Sequence, residues 1–204
     1  MYLPRKYQKT DNSYIFEFIK KHPFATVVSQ GNRLLATHLP VLTEGAAENF
    51  RLFSHMANHN EQLQFVQDQS EALLIFQGAH GYVSSSWYSE KNISTWDYSA
   101  VHVNVRITRQ TEGELESSLE NLVHHFEKDQ KQPLMYHDIP KPMLDEHLPL
   151  ITGFWCEILH IDAIAKLHQG YPKEDVVSVI EHLAAEKDPE AQKLKNDIQK
   201  EHGL

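Results

Sequence analysis

The chain has 204 residues, 41% of them apolar and 23% charged. That length suits one domain with a helical appendage, and this composition excludes wholesale disorder. The formal net charge of −9 excludes non-specific binding along a phosphate backbone, which needs many cations. The basic fragments Arg5-Lys6, Lys20-Lys21 and Arg106/Arg109 are too short and scattered to supply them.

In chain order, residues 13–22 read as a helix. Asp11, Asn12 and Ser13 offer caps, Ile15, Phe16, Phe18 and Ile19 supply the apolar face, and Pro23 ends it. Residues 24–30 and 33–42 are β-branched and apolar around the turn Gln30-Gly31-Asn32, so a hairpin is expected. Phe50 to His55 alternates as a strand, and residues 58–68 look helical. Residues 71–77 read as a buried strand closed by Gly78, with Tyr82-Val83 extended again. Residues 84–97 are aperiodic and rich in Ser, Trp and Tyr, in the manner of a functional loop.

Residues 98–109 alternate, with Val101, Val103, Val105 and Ile107 on one face. Residues 112–128 form the clearest helix, with Leu115, Leu119, Leu122, Val123 and Phe126 on one stripe. Pro133, Pro140, Pro142 and Pro149 break the next stretch, and residues 152–167 return to strand. Pro172 opens a helix with Val176, Ile180, Leu183 and Ala184 facing inward. The expected division is a domain over 1–187 and a polar tail over 188–204, read as a solvated helical tail or a frayed end. Strands clustered at hairpin-length gaps favour a mainly β, α+β fold with an antiparallel barrel and peripheral helices.

Motifs are mostly absent. His55 and His59 have helical ligand spacing, but position 56 is Met where the metalloprotease pattern needs Glu, so no metal site is expected. Ser84-Ser85-Ser86 lacks the glycines of a nucleophile elbow, and neither a P-loop nor a dinucleotide-binding glycine pattern occurs. The lone Cys156, in Gly153-Phe154-Trp155-Cys156, reads as a small buried hydrophobe and fits a reducing compartment. The start lacks a signal core and no apolar run reaches membrane-spanning length, so a soluble, cytoplasmic protein with no membrane partner is expected. Tyr82, Trp87, Tyr88, Trp96 and Tyr98 crowd one region together with Ser84–Ser86 and Thr95. They read either as core or as a polar-rimmed site for a planar ligand.

Ordered blocks over nearly the whole chain carry a resemblance. They run from Met1-Tyr2-Leu3-Pro4 and His22-Pro23-Phe24-Ala25-Thr26-Val27-Val28-Ser29 through Ala36-Thr37-His38-Leu39-Pro40, Ser54-His55-Met56-Ala57 and Phe76-Gln77-Gly78. Tyr82-Val83-Ser84-Ser85-Ser86-Trp87-Tyr88, Thr95-Trp96-Asp97-Tyr98-Ser99-Ala100-Val101-His102, Leu150-Ile151-Thr152-Gly153-Phe154 and Ile164-Ala165-Lys166-Leu167 complete the set. Together they resemble the PaiB family of FMN-binding negative transcriptional regulators. The resemblance implies the FMN-binding split-barrel fold, a homodimer, and flavin at the subunit interface.

It also implies a site. The isoalloxazine ring is expected against Ala36, Thr37 and His38 and the 54–60 turn, with Ser54, His55, Met56 and Asn60. The partner subunit is expected to offer Trp87, Tyr88 and Trp96; Ser85 and Lys91 are further cofactor-binding candidates. Asn58 stands where the family usually carries arginine, and Glu61 where it carries proline; both changes weaken a dianion site, with Lys91, His55 or His59 compensating on the phosphate side. Lys166-Leu167-His168-Gln169-Gly170 also replaces the usual Lys-Leu-Ser-Gln-Asn. The function so implied is an FMN-binding regulator acting without a DNA-reading motif. The alternatives are a flavin-dependent oxidoreductase of a small molecule and, below it, a haem-handling barrel.

Overall fold

The computed structural model describes all 204 residues, Met1–Leu204. Seven strands form one sheet in the order β2-β1-β5-β6-β7-β4-β3: β1 (Phe24–Gln30), β2 (Leu34–Pro40), β3 (Leu42–Ala46), β4 (Asn49–Ala57), β5 (Glu71–Val83), β6 (Thr95–Arg109) and β7 (Ile151–Lys166). The helices are α1 (Asn12–Lys21), α2 (Glu112–Glu127), α3 (Lys141–His147), α4 (Lys173–Ala185) and α5 (Pro189–His202). The pairing is antiparallel: Val28 faces Ala36 across β1/β2, Thr26 faces Ile75 across β1/β5, and His55 faces Gly153 across β4/β7.

The chain divides into two compact units. One comprises Met1–Phe18, Gln77–His102 and Asp162–Leu204; the other comprises Ile19–Phe76 and Val103–Ile161. In the second, strand alternation drives Ala25, Val27, Leu74, Val103, Val105 and Ile107 inward, all essentially inaccessible. Each buried Val, Leu or Ile among them contributes about 1.5–3 kcal/mol. Cys156 is buried in the same unit, and burial alone pushes its thiol up to about 12, as expected of a small hydrophobe.

In the first unit, α4 and α5 share one apolar cluster. It joins Val176, Val179 and Leu183 to Ala191, Leu194 and Ile198, with Ala79, Val83 and Leu167. The tail is helical, one of the two expected forms, but one face of it is packed and not solvated. Its three buried apolar residues at spacings of three and four are enough for a narrow stripe. Asp188 caps its start through the Glu190 amide at 3.0 Å, and Gly203 ends it at φ 66°.

Other expectations shift locally. Only Glu61–Phe65 of residues 58–68 turns helically, as a 3-10 segment. Gly78 does not end β5. The strand continues to Val83, and Gly78 is there because a Cβ would lie 2.3 Å from Ser99 Oγ and 2.9 Å from the Phe18 ring. On α4, Val176 and Leu183 are buried as expected and Ile180 is half-buried; Val179 joins them, and Ala184 alone departs, being exposed. On α2 only Leu115 of the apolar stripe is buried, and Phe126 is 40% exposed.

Candidate functional site

The expected flavin seat lies in the second unit. On β2, Ala36 and His38 point outward and are exposed, and Thr37 is half-buried. Their outward neighbours are the half-buried Thr26 and Val28 of β1 and the half-buried Leu73 and Ile75 of β5. This sheet face is mostly apolar, and Thr37 projects from the opposite face of β2, with Leu35 and Leu39. Phe24 and His38 stack at 5.9 Å along its edge.

The 54–60 turn is tied to that strand. Asn60 Nδ2 donates to Thr37 Oγ1 at 3.0 Å, while Asn60 Oδ1 accepts from the Gln62 amide at 2.9 Å. Ser54 and Met56 are buried, and the Ser54 hydroxyl donates to the Pro40 carbonyl at 2.8 Å. Those two side chains shape the turn from beneath. His55 is half-buried and its pKa is lowered by burial, so the ring is neutral at pH 7.

The two departures from the family pattern acquire physical roles. Asn58 is pinned by three bonds: its amide N–H donates to Leu150 O at 2.8 Å, Nδ2 donates to Pro149 O at 2.8 Å, and Oδ1 accepts from Thr152 at 2.7 Å. Glu61 is gripped by Arg33 at 2.6 and 2.9 Å in a two-pronged pair. The pair lowers the Glu61 pKa and raises that of Arg33. Arg33 is thus a guanidinium at this turn, which sequence spacing alone did not reveal.

The remaining candidates lie in the first unit. Ser85 receives the Ser94 hydroxyl at 3.0 Å, and its amide donates to Ser94 Oγ at 2.9 Å. Trp87 is half-buried, stacked on His182 at 4.9 Å and 14°. Tyr88 is buried, and burial is the first cause of the raised pKa of its hydroxyl. Lys91 is exposed. Trp96 is 52% exposed beside His80 and Tyr82, with ring centroids 6.3 and 6.2 Å away. Of the aromatic candidates, Trp96 presents the most open face.

Sequence reasoning missed a buried polar cluster beneath this loop. His168 Nδ1 and Asp97 Oδ2 are 2.8 Å apart, and Lys166 Nζ lies 3.2 Å from Asp97 Oδ1. Lys166 also donates to Thr95 Oγ1 and to the Trp96 carbonyl. One signal was available: Asp97 shares the odd-numbered inward face of β6 with Val101 and Val103, a costly place for an unpaired charge.

With this geometry in place, likeness to known proteins decides the family. The family described as "Putative FMN-binding domain" matches residues 1–160. The chain is also 32% identical over 195 residues to "Protease synthase and sporulation protein PAI 2" of Bacillus subtilis (strain 168), covering 95% of this chain and 94% of that one. The chain belongs to the PaiB family of FMN-binding domains. A second relative, "Uncharacterized protein YKL070W" of Saccharomyces cerevisiae, is 27% identical over 160 residues, 65% of this chain and 93% of its own.

Two solved structures share the fold. The "FAD and Heme binding protein from Mycobacterium smegmatis" has TM-score 0.61 at 14% identity, covering 84% of this chain and 79% of that one. The "Flavocytochrome Anf3 from Azotobacter vinelandii" has TM-score 0.60 at 13% identity, covering 86% and 78%. The PaiB chain therefore has the mainly β, α+β antiparallel fold expected of a split barrel. No helix is long and apolar enough to cross a membrane.

Proposed function

We propose that this PaiB-family protein binds FMN as a homodimer, with the flavin ring lying on the β2 face at Ala36 and His38. The observation that carries this reading is that open face. It is half-exposed and mostly apolar, and the Thr37–Asn60 hydrogen bond on the other side of the strand ties it to the 54–60 turn. A planar aromatic ring fits such a surface, and few precisely placed polar groups are needed to orient it. Trp96 of a partner copy is the group best exposed to cover the ring, with Trp87, Tyr88, Ser85 and Lys91 behind or beside it.

The residues fit the ring better than the phosphate. Asn58 is engaged with the 149–152 segment, and Arg33 is the guanidinium at the phosphate side, shared with Glu61. FMN is therefore expected to bind only modestly better than riboflavin. When bound, flavin supplies reversible hydride and electron transfer. The chain's part is to seat the ring against Ala36 and His38 and to shield one face with Trp96.

Two further readings attach to this one. The fold shared with a flavin- and haem-binding protein and with a flavocytochrome favours redox chemistry on a small molecule as the second reading. Regulation of transcription, which the family is named for, would run through a metabolite or protein partner, because the chain's charge of −9 opposes direct contact with DNA.

The test is a titration of FMN fluorescence with purified protein, repeated with Trp96→Ala. Quenching at micromolar protein, weakened several-fold in the variant, is the expected result. No quenching by the wild-type protein removes the reading.

A further inference from the structure

Lys166 ends β7 and reaches the first three residues of the neighbouring strand, β6. Its ammonium donates to Thr95 Oγ1, to the Trp96 carbonyl at 2.6 Å and to Asp97 Oδ1 at 3.2 Å. An ammonium has three donors, and here they meet acceptors on three consecutive residues. The Lys166 side chain is only 14% exposed, so these charge-assisted bonds form largely out of water. The other oxygen of Asp97 is held by His168 at 2.8 Å. His168 itself sits at φ 69°, a left-handed backbone that costs a non-glycine residue energy.

The middle residue of this clamp carries the open ring. Trp96 is 52% exposed, and its ring neighbours, His80 and Tyr82, stand 6.3 and 6.2 Å away. Such distant contacts do not by themselves fix the direction of a half-exposed ring. The chain leading into the strand adds little, because Ser89, Glu90, Lys91, Asn92 and Ile93 are all exposed. The rotamers open to a side chain depend on the φ and ψ of its own backbone. Holding the backbone from Thr95 to Asp97 therefore aims the ring. Lysine suits the task because its compact ammonium turns three donors in different directions, which a planar guanidinium fork cannot do.

We propose that Lys166 is the positioning residue of the aromatic cover and aims the Trp96 ring before any ligand arrives. The ring's part as a flavin cover rests on the reading above; its aiming by Lys166 does not. A group set in place beforehand lowers the ordering cost of binding. Lys166 touches no ligand, so its loss is felt in flavin affinity only through Trp96.

The test incorporates 5-fluorotryptophan into the full-length, flavin-free protein, whose three tryptophans are Trp87, Trp96 and Trp155. Fluorine NMR follows one line for each. In Lys166→Met the Trp96 line is expected to move towards the position of the free amino acid and to sharpen, while the Trp87 and Trp155 lines stay in place. Thr95→Val removes one neutral acceptor and no charge. It should move the same line part of the way, and it decides the matter if Lys166→Met does not fold. FMN titration supplies the second readout. Lys166→Met should weaken FMN several-fold, to the level of Trp96→Ala, and should cost nothing more in the Trp96→Ala background. Independent effects would instead add. A Trp96 line that stays put in both variants, equal movement of all three lines, or additive losses of affinity would overturn the proposal. Wild-type protein that binds no FMN would remove the flavin reading, and the fluorine lines would still decide the role of Lys166.

Discussion

His168 Nδ1 lies 2.8 Å from Asp97 Oδ2, and each side chain is at most 1% exposed. The carboxylate also faces Lys166 at 3.2 Å, so one buried anion is shared by two partners from the end of β7 and the turn after it. His168 stacks on Tyr171 at 3.9 Å, and Tyr88 packs 5.5 Å away. The floor of the aromatic loop is therefore fixed by charge as well as by packing.

Removing the carboxylate leaves Lys166 and His168 without their anion. Asp97→Ala should cost about 3–5 kcal/mol, the usual penalty for breaking a buried pair. His168→Ser, which restores the family's usual residue, should cost less, because the Asp97–Lys166 pair persists. Urea denaturation of both variants decides the point. A loss below about 1 kcal/mol for Asp97→Ala would show that the cluster stabilises nothing.

The C-terminal helix makes a second quantitative case. Leu194 and Ile198 are fully buried, and the Glu201 carboxylate receives Lys9 at 2.7 Å and Gln169 at 2.9 Å. Leu194→Ala should destabilise by about 2–5 kcal/mol. A chain ended at residue 187 should melt at markedly lower temperature. Wild-type melting in the shortened chain would return the segment to the status of a solvated tail.

Much of the fold was legible in the sequence, and the misreadings share a cause. The β1–β2 hairpin was readable because its period and its Gln30-Gly31-Asn32 turn are local signals. The α5 stripe was hidden because three apolar residues among fourteen give a weak period. Gly78 looked like a strand end because its real reason, room for Ser99 and Phe18, comes from elsewhere in the chain. The Asp97–His168 bond and the Arg33–Glu61 pair join residues 71 and 28 positions apart, and no local pattern encodes such a meeting. Within the candidate site, the aromatic cluster was visible as composition. Which ring lies open and which is buried depends on packing against α4, so Trp96 and Tyr88 could not be separated by sequence.

The Arg33–Glu61 pair makes opposite predictions for its two members. A carboxylate in the fork of an arginine competes with a phosphate for the same geometry. Glu61→Gln should tighten FMN several-fold, and Arg33→Ala should weaken it, while riboflavin affinity changes little in either. Fluorescence titration with both flavins measures this. Parallel changes for FMN and riboflavin would place the phosphate elsewhere.

Glu114 provides a pH-dependent test. Its pKa is lowered by the Thr111 amide first, then by the Trp155 indole N–H and the Thr111 hydroxyl. The indole donates to Glu114 Oε1 at 2.9 Å, and the amide to Oε2 at 2.8 Å. A carboxylate whose folded pKa lies below its unfolded value stabilises fully above the ordinary value of 4.5 and loses that contribution as pH falls through the depressed one. Glu114→Gln should therefore lower the melting temperature at pH 7 and narrow the gap to wild type as the pH drops below 4. A constant gap across that range would show that the capping box and indole bond do not depend on ionisation.

The central claim is that a flavin ring lies on the β2 face of one copy and is covered by Trp96 of another. The direct measurement mixes two variants that each bind FMN poorly: Ala36→Asp, which obstructs the seat, and Trp96→Ala, which removes the cover. After subunit exchange, random pairing makes half the dimers mixed, each with one intact site of two. FMN quenching should then recover to about a quarter of the wild-type site number. Exchange without any recovery, or a protein that remains monomeric while binding FMN at full affinity, would contradict the account.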